Sequence, residues 1–114
     1  MGYDEGFEPQ LLELRRGTVV LACLQLLREP GYGYGLLEDL TRRGFATDAN
    51  TLYPLLRRLE KHGYLSSEWN TEESRPRKFY TTSEAGLQLA KALTVEWALL
   101  SEAISSLAQI GDAT

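Results

Sequence analysis

Asn50-Thr51-Leu52-Tyr53-Pro54-Leu55-Leu56-Arg57-Arg58-Leu59-Glu60-Lys61 is two-faced. At 100° per residue, Leu52, Leu55, Leu56 and Leu59 fall on one side of a helix. Asn50, Pro54, Arg57 and Lys61 fall on the other, with Tyr53 and Arg58 flanking them. Asp48 is a good N-cap for this helix, and Gly63 is a natural stop just after His62. The apolar side must meet a core. The other side offers the groups that read a major groove, since Asn pairs with adenine and Arg with guanine. Thr51, Tyr53 and Lys61 suit phosphate contacts. A solvated charged face, balanced by Glu60, gives the same pattern, so this helix alone leaves both readings open. Pro54 lies too deep for a free first-turn proline. It removes the amide that would bond the Asn50 carbonyl, which predicts a kink or a loosened first turn.

Upstream, Leu11, Leu14, Val20, Leu21, Leu24 and Leu27 recur at helical spacing, predicting a first helix from about Pro9 to Arg28, stopped by Pro30 and Gly31. A second helix is expected from about Tyr34 to Arg43, with Leu36, Leu37 and Leu40 inward and Gly44 ending it. Downstream the period changes. Tyr64–Trp69 reads as a strand, 70–76 as a turn and Arg77–Thr81 as a return strand, together a two-stranded hairpin. Ser83 can cap a long last helix, about Glu84 to Ile110, with Glu84 near its positive end.

Helix, helix, helix, hairpin, helix is the order of a winged helix-turn-helix followed by one more helix. The expected fold is mainly α with a small β-hairpin. Its divisions are an acidic, loose tail over 1–8, a DNA-binding winged helix-turn-helix over 9–83, a C-terminal dimerisation helix over 84–110, and a short tail over 111–114.

Length and composition fit one globular domain: 114 residues, 43% hydrophobic and 25% charged. No apolar run is long enough for a membrane span, and the acidic start has no signal-peptide core, so a cytoplasmic protein is expected. The net charge of −4 argues at first against nucleic acid. Its distribution does not. Residues 42–78 hold eight bases against five acids, whereas 1–14 and 79–114 are acidic. A phosphate backbone feels the local patch, not the chain average. Arg75, Arg77 and Lys78 crowd the hairpin turn around Pro76, as a wing reaching along DNA would need. That clustering tips the helix toward DNA.

Three blocks, Gly31-Tyr32-Gly33-Tyr34-Gly35-Leu36-Leu37, then Asn50 to Glu60, then Pro76-Arg77-Lys78-Phe79-Tyr80, resemble the PadR family of bacterial transcriptional regulators in order and spacing. The Thr-Leu-Tyr-Pro-Leu-Leu-Arg-Arg-Leu-Glu run is highly specific, and coverage runs from about Leu11 to Ile110. The resemblance implies a homodimeric winged-helix repressor on a palindromic operator, often responsive to a small molecule, with DNA-contact roles for Thr51, Tyr53, Arg57 and the wing bases. A single last helix matches the family's smaller subgroup. Asn50 stands where many members carry Gly, and Phe79 where Tyr is common.

Other features are plainer. The Gly31–Gly35 run lacks the spacing of a dinucleotide or phosphate loop and reads as a flexible connector with two packing tyrosines. His62 suits a helix C-terminus, and Cys23 lies on the apolar stripe of the first helix. One His and one Cys assemble neither a metal site nor a catalytic constellation, so no enzyme, cofactor or metal is expected. In the last helix, Leu93, Trp97, Leu100, Ile104 and Leu107 follow a 4,3,4,3 spacing, a coiled-coil-like seam. The same helix of a second copy would cover it, or it folds back on the first helix; both are expected in part. Trp97 from each copy would then face its mate, with Leu93 and Leu100 a turn to either side, a place where a flat aromatic effector could be sandwiched. The competing reading is a winged helix that binds protein and not DNA, which would present an apolar patch where the bases stand.

Overall fold

The computed structural model describes residues 5–45, 47–72 and 74–112. Glu5–Phe7 form a single 3-10 turn, followed by helices α1 (Glu8–Arg16) and α2 (Thr18–Leu26), strand β1 (Gly31–Tyr32), helices α3 (Gly33–Arg42) and α4 (Ala49–Lys61), strands β2 (Leu65–Asn70) and β3 (Arg77–Thr82), and helix α5 (Glu84–Asp112). The core is built from Val19, Cys23, Leu24 and Leu27 of the α2 region, Leu36 and Leu40 of α3, all four leucines of α4, Leu65, Tyr80 and Ala90. Every leucine assigned to the back of α4 from its spacing is buried.

The local stops are physical. The Asp48 carboxylate accepts from the Thr51 amide at 2.8 Å, satisfying one of the free donors at the start of α4. Gly44 and Gly63 follow α3 and α4 with φ of +94° and +83°, a backbone region that costs glycine nothing and other residues more. The Ser83 hydroxyl accepts from the Gly86 amide at 3.1 Å and so caps α5. The sheet is tied to α2 by Thr82, which donates from its hydroxyl to the Leu24 carbonyl at 2.7 Å and from its amide to the Leu27 carbonyl at 2.8 Å.

Several expectations change. The first helix is two, α1 and α2, with Gly17 between them still in helical torsions. Glycine is a poor helix former, and the Thr18 hydroxyl takes the Arg15 carbonyl at 2.6 Å instead. The glycine run is no loose connector. Gly31 and Tyr32 pair with Tyr80 and Phe79, so the hairpin is the larger part of a three-stranded antiparallel sheet of order β1-β3-β2. Tyr32 does pack, but Tyr34 is exposed. Pro54 does not interrupt α4, which runs unbroken across it. The N-terminal tail expected over 1–8 lies outside the described residues for 1–4, and Glu8 already belongs to α1. At the other end α5 continues to Asp112, and 113–114 lie outside the described residues.

Helix α5 has 29 residues, about 43 Å of helix. Only its first turns are held, by α2 and β3, with Ala90 buried and Leu89 and Leu93 partly so. From Thr94 to Ile110 every residue is exposed.

Candidate nucleic-acid interface

Helix α4 sits on the core by Leu52, Leu55, Leu56 and Leu59, so its remaining faces open to solvent. Asn50, Thr51, Pro54, Arg57, Arg58 and Lys61 are all exposed. Among the described residues, the Arg57, Arg58 and Lys61 side chains make no ion pair within the chain. Tyr53 is half-buried, because its ring lies over Gly33 at the start of α3. A Cβ at Gly33 would run into the Tyr53 ring. A glycine here therefore lets α4 and α3 approach, and Tyr53 is held in place by that approach.

Six of the ten predicted contact residues line one of two grooves, and Asn50, Pro54, Arg57 and Lys61 line neither. Tyr53 lines one of about 540 Å³ with Tyr32, Tyr34, Trp69, Arg75, Arg77, Lys78 and Tyr80, between α4, the start of α3 and the wing. Thr51 and Arg58 line another of about 630 Å³ on the opposite side, with Asp48, Leu55 and residues of α1 and α2 such as Leu12 and Arg16. The wing bases and Tyr53 are thus brought together, and Thr51 and Arg58 face away from the wing. Tyr53, Arg57 and Lys61 are four residues apart and make one stripe along α4 on the Tyr53 side.

The wing bases are not equivalent. Arg75 is exposed and, among the described residues, without an ion pair. Arg77 lies over the Tyr32 ring, 4.2 Å from its centroid. Tyr32 is itself fixed, edge-on to Phe79 and accepting at its hydroxyl from the Asn70 amide group at 2.9 Å. Lys78, expected to reach DNA, is instead half-buried and donates to Glu60 of α4 at 3.0 Å. The Ser67 hydroxyl of β2 donates to the other Glu60 oxygen. Glu60 therefore ties both wing strands to the last turn of α4. Its carboxyl is held below the usual range, first by the Ser67 hydrogen bond and then by Lys78. The Lys78 ammonium is raised, chiefly by Glu60. Spacing alone suggested Glu60 as charge balance on α4. The strut was hidden because it depends on the hairpin register, Ser67 opposite Tyr80 and Trp69 opposite Lys78. Trp69 and Tyr34 were likewise missed as groove residues.

Elsewhere, His62 Nδ1 lies 2.9 Å from the Arg58 carbonyl at the end of α4, as its position suggested. Cys23 is fully buried, and burial pushes its thiol up to about 12, so it is an inert core side chain. Among the described residues no His, Cys, Asp and Glu cluster could hold a metal, and no helix is long and apolar enough to cross a membrane.

The seam residues of α5 surround open space. Leu93, Trp97, Leu100 and Ile104 form one wall of a groove of about 610 Å³ whose other wall includes Leu14 of α1 and Leu21 of α2. Trp97 also borders a second groove of about 340 Å³ with Leu21, Leu26 and Phe45. Leu107 lies beyond both and is exposed.

The model of the PadR-like transcriptional regulator family matches residues 20–92, from α2 into α5. The chain belongs to the PadR-like family. It is a winged-helix, DNA-binding transcriptional regulator by that membership. It is 46% identical to a PadR family transcriptional regulator from Eggerthella lenta, with a TM-score of 0.87, over 92% of this chain and 94% of that one. A transcriptional regulator from Clostridium thermocellum is 32% identical with a TM-score of 0.76, over 82% and 96%. A transcriptional regulator of Mycobacterium tuberculosis is 40% identical over 55 residues, which span 48% of this chain and about half, 51%, of that relative.

Proposed function

We propose that this PadR-like chain is a cytoplasmic repressor that binds a palindromic operator as a homodimer. The observation that carries the reading is the stripe Tyr53, Arg57 and Lys61 on α4 beside a wing groove whose described lining includes three bases, Arg75, Arg77 and Lys78. Asn50 and Arg57 reach base edges, and Thr51, Tyr53, Pro54, Arg58, Lys61, Arg75 and Arg77 meet backbone or sugar. Lys78 serves chiefly through Glu60. The dimer forms along Leu93, Trp97, Leu100, Ile104 and Leu107 of α5, whose apolar length is exposed beyond Leu93 and has no cover among the described residues. Repression is steric: the dimer occupies promoter DNA. The protein-interaction alternative is disfavoured because the α4–wing face carries Arg57, Lys61 and Arg75, which make no ion pair among the described residues, where an apolar patch would be needed.

Selection of bound sequences from random duplex DNA tests this. The expected product is an inverted repeat with half-site centres about one helical turn apart. Recovery of no enriched sequence at moderate salt overturns the reading.

The open grooves around Trp97 favour one addition, a flat aromatic effector held between Leu93, Trp97 and Leu100 at the dimer seam. It would act by altering the separation of the two α4 helices. In Trp69→Phe, where Trp97 is the remaining indole, saturable quenching by planar aromatic compounds together with weakened operator binding supports a sensor. Quenching with unchanged operator affinity excludes one, because a ligand shifts an equilibrium only by its differential affinity.

A further inference from the structure

Gly86 lies in the first turn of α5, where glycine weakens a helix relative to alanine. The packing supplies the reason. A Cβ at this position would run into the Tyr64 carbonyl oxygen and stand 2.7 Å from the Thr82 methyl. Neither neighbour is free to move. The Tyr64 carbonyl accepts from the Ser83 amide at 3.1 Å, and the Tyr64 amide donates to the Leu59 carbonyl of α4 at 2.9 Å. Thr82 is buried, with its hydroxyl held by the Leu24 carbonyl of α2. Ser83 adds a second tie, since its hydroxyl donates to the Gly63 carbonyl at 2.5 Å while accepting from the Gly86 amide.

The Tyr64 residue thus stands between the end of α4 and the start of α5, bonded to both. Helix α4 carries the polar reading face and α5 the apolar seam, so the angle between them is set at this joint. A lever argument gives the scale. Bringing an added Cβ out to ordinary carbon contact, about 3.5 Å, asks the first turn of α5 to move by about 1 Å. Ala90, buried in the core, is the next fixed point, about 6 Å along the axis. The tilt is then about 10°, and it carries Leu100, about 15 Å further on, by about 2–3 Å. In a two-fold dimer the displacement acts in both copies. One base-pair step rises about 3.4 Å along a strand. The space that glycine leaves open is therefore commensurate with one base pair of half-site spacing.

We propose that Gly86 is a positioning residue that sets operator spacing. By letting α5 start against the Tyr64 carbonyl, it fixes the angle between the reading helix and the seam helix, and with it the distance between the two α4 helices of a dimer. The inference rests on the homodimeric, DNA-binding reading above. It adds the element that chooses the length of the spacer, separate from the half-site sequence that α4 reads.

The test uses the full chain and the inverted repeat that the parent itself selects, rebuilt with one or two base pairs added to or removed from the spacer. Gly86→Ala should keep the parent's affinity for an isolated half-site and its dimeric sedimentation. Its preferred spacer should move by about one base pair, with a several-fold loss on the parent's own repeat. Spin labels on Arg42→Cys, exposed at the end of α3, give a readout without DNA, since Cys23 is buried and escapes labelling. The label-to-label distance in the Gly86→Ala dimer should differ from the parent's by several ångströms. Ser83→Ala removes the hydroxyl ties without adding bulk. It should broaden the distance distribution and flatten the preference between spacers, and it decides the matter if Gly86→Ala does not fold. Unmoved spacer preference and label distance in a folded, dimeric Gly86→Ala overturn the proposal, as does a parent-like distribution with parent-like spacer preference in Ser83→Ala. Weaker half-site binding at unchanged spacing also overturns it, because Gly86 would then serve the reading head alone. A parent that selects no repeat would instead remove the DNA-binding reading, and one without a label-to-label distance the homodimer, and this proposal with either.

Discussion

Helices α4 and α5 both present long exposed faces, and the two faces ask for different things. The solvent face of α4 is Asn50, Arg57 and Lys61, polar groups that water satisfies. Its back is fully seated, so α4 is complete in a single chain. Beyond Leu93, α5 has no core behind it, and Trp97, Leu100, Ile104, Leu107 and Ile110 are all more than half exposed. Water does not satisfy that stripe. One helix holds a site that can stand empty. The other holds a surface whose exposure weakens the helix itself. Loss of DNA should leave α4 unchanged, whereas loss of a second copy should be felt along α5.

The largest effect should come from breaking the α5 side. Leu100→Asp with Ile104→Asp places two charges in the proposed seam. Sedimentation should show monomers where the parent is dimeric, and helical ellipticity should fall as the free end of α5 frays. Affinity for a two-half-site operator should drop by about 100-fold or more, because linked half-sites gain from effective concentration. Affinity for an isolated half-site should hardly change. A parent that is monomeric at micromolar concentration would mean that α5 carries no self-association seam.

A smaller effect should come from the α4 side. Arg57→Ala should cost about 1–3 kcal/mol on the selected operator, with relaxed preference at one base position. Thermal unfolding and sedimentation should match the parent, since Arg57 is exposed and makes no ion pair among the described residues. Arg57→Ala should thus lose binding with assembly kept, whereas the α5 variant should lose binding through assembly. Equal losses on operator and mixed-sequence duplex would move Arg57 from base edge to phosphate.

The same contrast explains what could be read in advance. The four leucines of α4, its cap at Asp48 and its stop at Gly63 are local signals, fixed by helical period and backbone torsion. The order of elements follows from them. Gly31 and Tyr32 could not be read as a strand, because a two-residue strand has no period and exists only by pairing with Tyr80 and Phe79. Gly17 divided a helix whose apolar spacing runs through it, and nothing in that spacing marks the break. Arg57, Lys61 and Arg75 were legible as a basic site from type and position. The part played by Glu60, and the shared face of Trp69 and Lys78, depend on hairpin register, which a six-residue turn between Asn70 and Arg77 leaves open in the sequence.

Glu60 also supplies the finest test of how the reading face is held. Its carboxyl is depressed in the folded chain by Ser67 and Lys78, and the Lys78 ammonium is raised by Glu60. A depressed acid contributes stability that is present above its unfolded pKa and lost as pH falls through the folded value. A raised base contributes stability that is present below its unfolded pKa and lost as pH rises through the folded value. The strut is therefore whole between the ordinary carboxylate and ammonium ranges, and on the acid side it opens only below the ordinary glutamate range. The pair is partly exposed, so the effect is small, a few-fold in wing opening at most, and screened by salt. Hydrogen exchange of β2 and β3 amides should reveal it as an acid-side loss of protection confined to the wing. Glu60→Gln should remove that pH step and leave the wing slightly more open at neutral pH, with α2 and α3 amides unaffected. If the wing keeps its acid step in Glu60→Gln, another carboxylate holds it, and the geometry of the α4–wing face would not depend on this strut.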